Sequence, residues 1–242
     1  KVIAIYSNKG GLGKTTVAVN LAYELSEMQK KDKTALVDMN MFLGDVTTFL
    51  DLTPTYDMIY LAEKAENKED ITEFATQYSE SNLFVIADSP YREFSNNISR
   101  DKIVHLFNAL RKNYKFILVD CSSAITQKTK YVLDFADLIL LVSEANLPTI
   151  RNCKKCLDFF EKTGILNKTE LILNRYSAND ECQAEDIETV LKKEIVVTLP
   201  NDWYSVTDSI NRGLTIAESF PEVRIHDAYI ELAEFVSDKL CR

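Results

Sequence analysis

Residues 1–16 read KVIAIYSNKGGLGKTT, a continuous apolar run followed by a turn that is rich in glycine. The apolar run Val2–Tyr6 has the pattern of a strand that is covered on both faces of a parallel sheet. Residues 15–29, which follow the turn, have the periodicity of a helix. A glycine-rich turn between a strand and a helix is the context of a phosphate-binding loop, so the sequence predicts one here.

Each residue type in this turn has a chemical reason to lie beside phosphate. Glycines allow backbone N–H groups to point inward around an anion, and the following helix presents its positive end to that anion. We expect Lys14 to reach the outer phosphates and the Thr15 hydroxyl to bind Mg²⁺. The standard pattern has a glycine where this chain has Asn8. The predicted phosphate-binding residues are Gly10, Gly11, Leu12, Gly13, Lys14, Thr15 and Thr16.

The rest of the chain alternates short apolar runs with longer helical patterns. This rhythm predicts an α/β fold with a doubly wound, mostly parallel sheet flanked by helices, in which ligands sit at the carboxyl ends of strands. The predicted strands are Val2–Tyr6, Ala35–Asp38, Leu83–Ala87, Phe116–Asp120, Leu138–Val142, Leu171–Leu173 and Ile195–Leu199. The predicted helices are 15–29, 101–113, 125–136, 149–162, 184–193 and 226–241.

Composition excludes several classes of protein. The net charge of −9 over 242 residues argues against sequence-independent nucleic-acid binding, which needs a basic face. An odd number of cysteines in no regular framework favours free thiols in a reducing, cytoplasmic compartment. No apolar run is long enough to span a bilayer, so membrane insertion is not expected. Because no linker is apparent, residues 1–242 are predicted to form a single domain.

Two further segments carry simple patterns. Residues 63–80 are densely charged, which predicts the solvated face of a helix. Residues 226–241 carry apolar side chains on one face and carboxylates on the other, whereas a membrane-surface helix would carry basic residues. This last segment is therefore predicted to pack on the core.

A carboxylate completes the predicted phosphate site. A loop that binds Mg·nucleotide needs an acidic residue at the end of a second buried strand to hold the metal ion. Phe116–Asp120 ends in such a residue, Asp120. Many strands end in an aspartate that merely caps a turn, so this interpretation depends on the pairing with the glycine-rich loop.

Residues 9–16, KGGLGKTT, resemble the deviant Walker A motif of the MinD/ParA family of ATPases. The resemblance covers essentially the whole chain and implies a P-loop ATPase that uses ATP and Mg²⁺. In that family the early lysine, here Lys9, reaches across a dimer interface to the phosphates of the partner subunit. The resemblance therefore implies a homodimer that forms across the nucleotide.

Four other segments resemble the CpaE/TadZ group of pilus-assembly ATPases. They are 42–52 (FLGDVTTFLDL), 146–152 (NLPTIRN), 172–176 (ILNRY) and 210–213 (INRG). This narrower resemblance implies a localisation or assembly factor for a pilus or secretion machine, partnered by its assembly proteins and placed at the cell pole. Members of the group usually carry a receiver-like domain upstream, and we expect one before Lys1.

The resemblance also implies a pocket for the nucleobase. In the wider family the Asn of an Asn-Arg pair after a late strand contacts adenine, which here points to Asn174 with Arg175 beside it. Pro200, Asn201 and Asp202 are expected to complete that pocket. An asparagine at this place can also be a turn residue at the end of a strand, and both interpretations stay open at this level.

One departure from the family pattern concerns hydrolysis. The family typically has Asp-x-Asp after the second strand, and its second aspartate positions or activates the attacking water; here the residues are Asp38, Met39 and Asn40. The Asn40 amide can hydrogen-bond a water but cannot accept its proton. General-base help is worth about 10²–10⁴-fold, so we expect slow ATP hydrolysis and a long-lived ATP-bound dimer. The predicted catalytic residues are Lys9, Lys14, Asp38 and Asn40, and the predicted metal ligands are Thr15, Asp38 and Asp120.

Three other functions stay open. A chromosome- or plasmid-partitioning or division-site-placement ATPase belongs to the same family, although the acidic charge counts against DNA binding. A nucleotide-binding scaffold without hydrolysis is consistent with Asn40. An electron carrier would use Cys153 and Cys156 in an iron–sulfur cluster, but their helical, apolar surroundings favour semi-buried free thiols.

Basic residues are scattered between positions 92 and 130. The overall acidity favours dispersed surface charge over a basic patch in this region. The residues are Arg92, Arg100, Lys102, Arg111, Lys112, Lys115, Lys128 and Lys130.

Overall fold

The computed structural model describes residues 1–28, 30–40, 44–65, 70–89 and 99–241. The predictions that concern Phe42, Leu43, Arg92 and residues 66–69 lie outside these ranges. All of the predicted site residues lie inside them.

Eight strands form one continuous sheet. They are β1 Val2–Tyr6, β2 Thr34–Asp38, β3 Thr76–Gln77, β4 Leu83–Ile86, β5 Phe116–Asp120, β6 Leu138–Ser143, β7 Thr169–Tyr176 and β8 Ile195–Pro200. Their order is β3-β4-β2-β5-β1-β6-β7-β8, and every neighbouring pair is parallel except β3 with β4. The prediction of a doubly wound, mostly parallel sheet is confirmed.

Helices cover both faces of the sheet. They are α1 Lys14–Met28, α2 Val46–Phe49, α3 Met58–Lys64, α4 Arg100–Asn113, α5 Gln127–Phe135, α6 Leu147–Thr163, α7 Ala184–Leu191, α8 Trp203–Arg212, α9 Ile216–Ser219 and α10 Arg224–Cys241. Single 3₁₀ turns occupy Thr72–Phe74 and Leu166–Lys168. None of the helices in the described ranges combines the length and apolar character needed to cross a membrane.

The sequence of β1 is apolar without alternation because helices cover both faces of this strand. Val2, Ala4 and Tyr6 face the side of the sheet that α3 to α7 cover, while Ile3 and Ile5 face the side that α1 and α10 cover. All five side chains are completely buried. Because a strand with both faces covered has no solvent side, polar residues are absent until the chain reaches the carboxyl edge of the sheet.

The last helix packs on the core, as predicted. Ile225, Tyr229, Leu232 and Val236 of α10 are buried against α1 and the sheet. His226 of the same helix contacts Glu24 of α1, with 3.1 Å between Nε2 and Oε1.

The prediction of a solvated helix over residues 63–80 is wrong within the described residues. The helix α3 ends at Lys64, and the chain later forms a 3₁₀ turn and the edge strand β3. Ile71 and Tyr78 are buried, and the Tyr78 hydroxyl donates to Glu218 at 2.5 Å. Ile71 and Tyr78 therefore pack on the core within a charged segment, and the charge pattern alone does not predict this.

The cysteines of α6 lie deeper than predicted. Cys153 and Cys156 are 2% and 3% exposed and belong to the core cluster, so they are buried rather than semi-buried. Burial raises the pKa of both thiols, because a thiolate is poorly solvated there. The described part of the chain contains no group of three His, Cys, Asp or Glu residues that could hold a metal ion. An iron–sulfur cluster at this pair is therefore disfavoured.

Candidate nucleotide-binding site

The loop between β1 and α1 is held by hydrogen bonds on both sides. Gly11 and Gly13 have φ angles of +80° and +81°, a region that glycine tolerates and other residues rarely adopt. The Ser7 hydroxyl donates to the Lys9 carbonyl at 2.7 Å. The Asn8 amide donates to the Asn152 carbonyl at 2.6 Å, which ties the loop to α6. The residue that replaces the usual glycine therefore anchors the loop.

Asn174 and Arg175 fasten the loop from the opposite side. The buried Asn174 amide donates to the Leu12 carbonyl at 2.9 Å. Arg175 donates to the Gly11 carbonyl at 3.1 Å and pairs with Glu144 at 2.9 Å. Both residues lie within β7 rather than after its end, so the interpretation of Asn174 as a strand-end turn residue is wrong.

Gly13 is expected to be intolerant of substitution. A Cβ atom at this residue would collide with the Asn174 amide nitrogen, and the φ angle of +81° would be strained for any other residue. Gly13→Ala is expected to weaken ATP binding at least about tenfold and to lower the free energy of unfolding by about 1–2 kcal/mol. Titration calorimetry and thermal unfolding measure the two effects.

Gly10→Ala is the matched control for this prediction. A Cβ atom there meets nothing within 4 Å, and its φ angle lies outside the left-handed region. Equal effects of the two substitutions would contradict the role given to the contact between Gly13 and Asn174.

Thr15 and Asp120 form the acidic end of the site. The Thr15 hydroxyl donates to Asp120 Oδ2 at 2.6 Å, and the Asn40 amide donates to the same oxygen at 2.8 Å. The other carboxylate oxygen, Oδ1, is buried and has no hydrogen-bond partner among the described residues. A hydroxyl and a carboxylate with an unpaired oxygen suit Mg²⁺, which prefers oxygen ligands.

Asp38 holds the backbone that leads into α2. Its two carboxylate oxygens accept hydrogen bonds from the backbone N–H groups of Asn40 at 2.9 Å and Val46 at 3.2 Å. Any side chain at Gly44 would collide with this carboxylate. Asp38 pairs in register with Asp120 across β2 and β5. Its predicted place in the Mg²⁺ shell stays a prediction.

Lys14 is buried at the start of α1, with 8% of its surface exposed. Its ammonium group donates to the Ser123 hydroxyl at 2.6 Å. Burial lowers the pKa of Lys14, and the nearby Asp120 carboxylate opposes that shift. Ser123 lies in the segment after β5 and was not predicted as a site residue, since nothing in its local sequence indicates a contact with the loop.

Two buried carboxylates give the site an unfavourable negative charge. Burial, together with the charge of the neighbouring Asp120, raises the pKa of Asp38 to about 7. Burial also raises the pKa of Asp120 to about 6, although Thr15 and Lys14 oppose the shift. A divalent cation at this edge would stabilise the ionised forms of both groups.

These shifts predict how metal-free stability depends on pH. A carboxyl group whose pKa is higher in the folded than in the unfolded protein binds its proton more tightly when folded. The unfolding temperature in a chelator should therefore fall as the pH rises from about 4 to about 7. Mg·ADP should reduce this fall, and so should Asp120→Asn. A flat or rising profile through that range in the wild-type protein would contradict this electrostatic account.

A pocket of about 340 Å³ extends from the phosphate-binding loop toward α8 and α10. It is lined by all five residues predicted to surround the base, which are Asn174, Arg175, Pro200, Asn201 and Asp202. Of the predicted loop residues, Gly11, Gly13, Lys14, Thr15 and Thr16 line it as well. Gly10 and Lys9 are exposed and lie outside the lining, and Leu12 is buried beneath it.

The far wall of this pocket was not predicted. It is formed by Asp45, which precedes α2, by Phe49 at the end of α2, by Trp203, Val206, Thr207 and Ile210 of α8, and by Ile225 and Tyr229 of α10. Asp202 accepts hydrogen bonds from the Ser205 backbone at 3.0 Å and the Ser205 hydroxyl at 2.7 Å, and so caps α8. Trp203, 73% exposed, lies at the rim. An apolar wall opposite a phosphate-binding loop suits a flat heterocyclic base.

A phosphate-binding loop after the first strand of a doubly wound sheet, with an aspartate ending a neighbouring strand, defines the class of P-loop nucleotide-binding proteins. The AAA_31 family, described as an AAA domain, matches residues 1–171. The chain belongs to this family, and its fold is that of the MinD/ParA-like P-loop ATPases.

Individual relatives resemble the chain over most of its length. The septum site-determining protein MinD of Helicobacter pylori is 27% identical over 223 residues, which cover 88% of this chain and 82% of that protein. A ParA family ATPase from Chlorobium tepidum is 23% identical with a TM-score of 0.89, over 97% of this chain and 98% of that one. The MinD protein of Pyrococcus horikoshii, solved with Mg-ADP, is 23% identical with a TM-score of 0.84, over 100% and 97% of the two chains.

Proposed function

We propose that the chain is a Mg·ATP-dependent dimerising ATPase that acts as a switch. ATP binds between the glycine-rich loop and the pocket wall formed by α8 and α10, and the bound nucleotide bridges two copies of the chain. The Mg-ADP in the solved relative from Pyrococcus horikoshii supports this choice of ligand. Dimerisation then creates or buries a surface that a partner protein binds.

The two lysines of the loop carry the proposal. Lys14 is buried and lines the pocket, so it can contact the phosphates of the nucleotide bound by its own subunit. Lys9 is exposed and lies outside the pocket lining, so it is available to a second subunit. The loop thus carries one lysine inside the pocket and one exposed lysine outside it, an arrangement that suits a nucleotide shared between two chains.

The residues around Asp120 divide the remaining tasks. Thr15 and Asp120 would hold Mg²⁺, which when bound offsets the negative charge of the phosphates. Asp38 accepts hydrogen bonds from the backbone N–H groups of Asn40 and Val46 beside that site. When nucleotide is bound, we expect the Lys14 ammonium to contact the phosphates instead of the Ser123 hydroxyl.

Slow hydrolysis follows from the state of Asn40 in this proposal. Its side-chain nitrogen donates to Asp120 at 2.8 Å, so the amide is already used in ordering the acidic end of the site. An amide cannot take a proton from water at neutral pH. The ATP-bound form is therefore expected to live long, and complete loss of hydrolysis would make the chain a nucleotide-binding scaffold.

The proposed task is to place or assemble a pilus or secretion machine at a cell pole, with the assembly proteins of that machine as partners. The resemblance of residues 146–152, 172–176 and 210–213 to the CpaE/TadZ group supports it. A second candidate is placement of the division site or partition of DNA, which the names of relatives favour, such as the septum site-determining protein of Helicobacter pylori and a putative plasmid partition protein of Borrelia burgdorferi. A salt-sensitive, ATP-dependent mobility shift of duplex DNA would favour partition, while binding to isolated pilus-assembly proteins would favour the first task.

Lys9→Ala tests the proposed dimer. The variant should bind ATP with an affinity within about threefold of wild type, because the exposed side chain does not line the pocket. Its ATP-dependent dimer should dissociate at least about tenfold more readily, since each copy loses a charge-assisted contact to the partner's phosphates. Sedimentation velocity with Mg·ATP measures dimer affinity, and Lys155→Ala, at an exposed lysine of α6, is the control. Normal dimerisation of the Lys9→Ala variant would contradict the proposed contact of Lys9 with the partner subunit.

A further inference from the structure

A second pocket opens at the edge of the sheet opposite the nucleotide pocket. It lies beside the amino ends of β2 and β5, where the chain enters the strands that end at Asp38 and Asp120. Its volume is about 480 Å³. Lys31, Asp32, Lys33, Asp70, Thr72, Arg111, Lys112, Asn113, Tyr114 and Lys115 line it, and we call it the basic pocket.

The basic pocket concentrates positive charge on an acidic protein. Five of its lining side chains are Lys or Arg and two are Asp, while the whole chain carries a net charge of −9. Arg111, Lys112 and Lys115 belong to the basic residues that the sequence pattern predicts to be dispersed, and for these three that prediction is wrong. They meet Lys31 and Lys33 because the end of α4 and the loop before β2 lie side by side.

Backbone and side-chain contacts hold this cluster in place. The Lys115 backbone N–H donates to the Lys33 carbonyl at 2.9 Å, which fixes the two segments against each other. The Lys115 ammonium pairs with Asp32 at 3.0 Å, and Arg111 pairs with Asp137 at 2.8 Å. Lys31 and Lys33 are exposed and form no ion pair with a carboxylate in the described ranges. The pocket therefore keeps uncompensated cations at fixed backbone positions.

Tyr114 is the aromatic residue in the lining of the basic pocket. The residue is 3% exposed, and its ring packs edge-on against Phe84 with 5.7 Å between the centroids. Its hydroxyl is buried and has no hydrogen-bond partner among the described residues. Because this oxygen has almost no accessible surface, a ligand in the basic pocket would contact the charged side chains of the lining instead.

We propose that the basic pocket binds a small, multiply charged phosphate compound. Clustered ammonium and guanidinium groups are the usual partners of phosphate oxygens. An extended polyanion such as DNA or an anionic membrane fits less well, because Asp32 and Asp70 lie in the same lining and the rest of the protein is acidic. A volume of about 480 Å³ is in the range of small-molecule sites.

The test is a calorimetric titration of inorganic triphosphate without Mg²⁺ at low ionic strength. It is done with wild type and with Lys14→Ala, which removes the phosphate-binding lysine of the nucleotide pocket. Saturable binding should persist in the Lys14→Ala protein, because the two pockets lie at opposite edges of the sheet. Its persistence does not depend on the proposed ATPase function, and loss of saturable binding in Lys14→Ala would overturn the proposal.

Variants of the basic pocket then locate the site within the Lys14→Ala background. Lys31→Glu with Lys33→Glu should weaken triphosphate binding at least about tenfold. The matched control, Lys155→Glu with Lys162→Glu on α6, changes net charge equally and should weaken it less than about twofold.

Three outcomes would refute the proposal. Equal weakening by the two double variants would mean that only net charge matters. Unchanged binding in Lys31→Glu with Lys33→Glu would place triphosphate elsewhere. The third outcome is that the protein binds duplex DNA or phosphatidylserine vesicles but not triphosphate, and that Lys31→Glu with Lys33→Glu abolishes this binding. The pocket would then belong to a macromolecular polyanion.

Discussion

Replacing Lys14 with alanine is expected to abolish nucleotide binding. The side chain is buried at the start of α1 and lines the nucleotide pocket, and its ammonium already bonds a hydroxyl, that of Ser123. Charge-assisted hydrogen bonds to phosphate in such a site are strong, so ATP affinity should fall at least about 100-fold. The chain's single tryptophan, Trp203, lies at the rim of the pocket, so its emission can follow the titration.

Two controls make this result specific. Lys155→Ala removes an exposed lysine of α6 and should leave ATP affinity unchanged. The unfolding temperature of Lys14→Ala should not fall, because burial already disfavours the charged form of this lysine, as the lowered pKa indicates. ATP affinity within about threefold of wild type would contradict the assignment of the phosphate-binding loop.

The second large effect is expected at Asn40, where aspartate should raise the rate of ATP hydrolysis. A carboxylate at this position can accept the proton of an attacking water, a contribution of about 10²-fold or more. It would also stand beside Asp120 Oδ2, the oxygen that the Asn40 amide contacts at 2.8 Å. Phosphate release under saturating Mg·ATP measures the rate. The variant should also depend more steeply on Mg²⁺, since three carboxyl groups then share one edge of the sheet.

Asn40→Ala distinguishes the effect of a new carboxylate on the rate from the effect of losing the amide. It removes the hydrogen bond to Asp120 without supplying a base, so its rate should stay at or below that of wild type. Equal acceleration in both variants would mean that the amide bond itself restrains the site. An unchanged rate in Asn40→Asp would remove Asn40 as the cause of slow turnover.

The amino-terminal part of the site could be predicted because every local signal agrees there. The apolar run of β1, the positive-φ glycines and the lysine and threonine that open α1 are adjacent in sequence. Asp120 could be found because a buried strand that ends in an acid is a simple pattern. The carboxyl ends of parallel strands share one edge, and this geometry brings Asp120 to Thr15.

The far wall of the nucleotide pocket had no such signal. The helix α8 is ten residues long and buries Ser205 and Ser209, while its apolar residues Val206 and Ile210 line the pocket, so no apolar stripe facing the core marks it. Phe49 and Tyr229 lie far apart in the chain and meet the pocket only because α2 and α10 pack on the same face of the sheet. Ser123 was missed for the same reason, since its contact with Lys14 is a long-range one.

The charged segment of residues 63–80 shows a different limit of prediction from sequence. Its charges predict solvent exposure, but the path of the chain is set by Ile71 and Tyr78, which are buried. The basic residues near the end of α4 show the reverse case. Arg111 and Lys115 look dispersed along the sequence and become a cluster only when the loop before β2 brings Lys33 beside them.

The measurement that tests the account most directly is the mass of the protein by light scattering, without nucleotide, with Mg·ADP and with Mg·ATP, alongside phosphate release. The account predicts a monomer in the first two states, a dimer with Mg·ATP, and slow release of phosphate. A dimer in all three states without phosphate release would contradict it, and would mean that the fold serves as a constitutive scaffold.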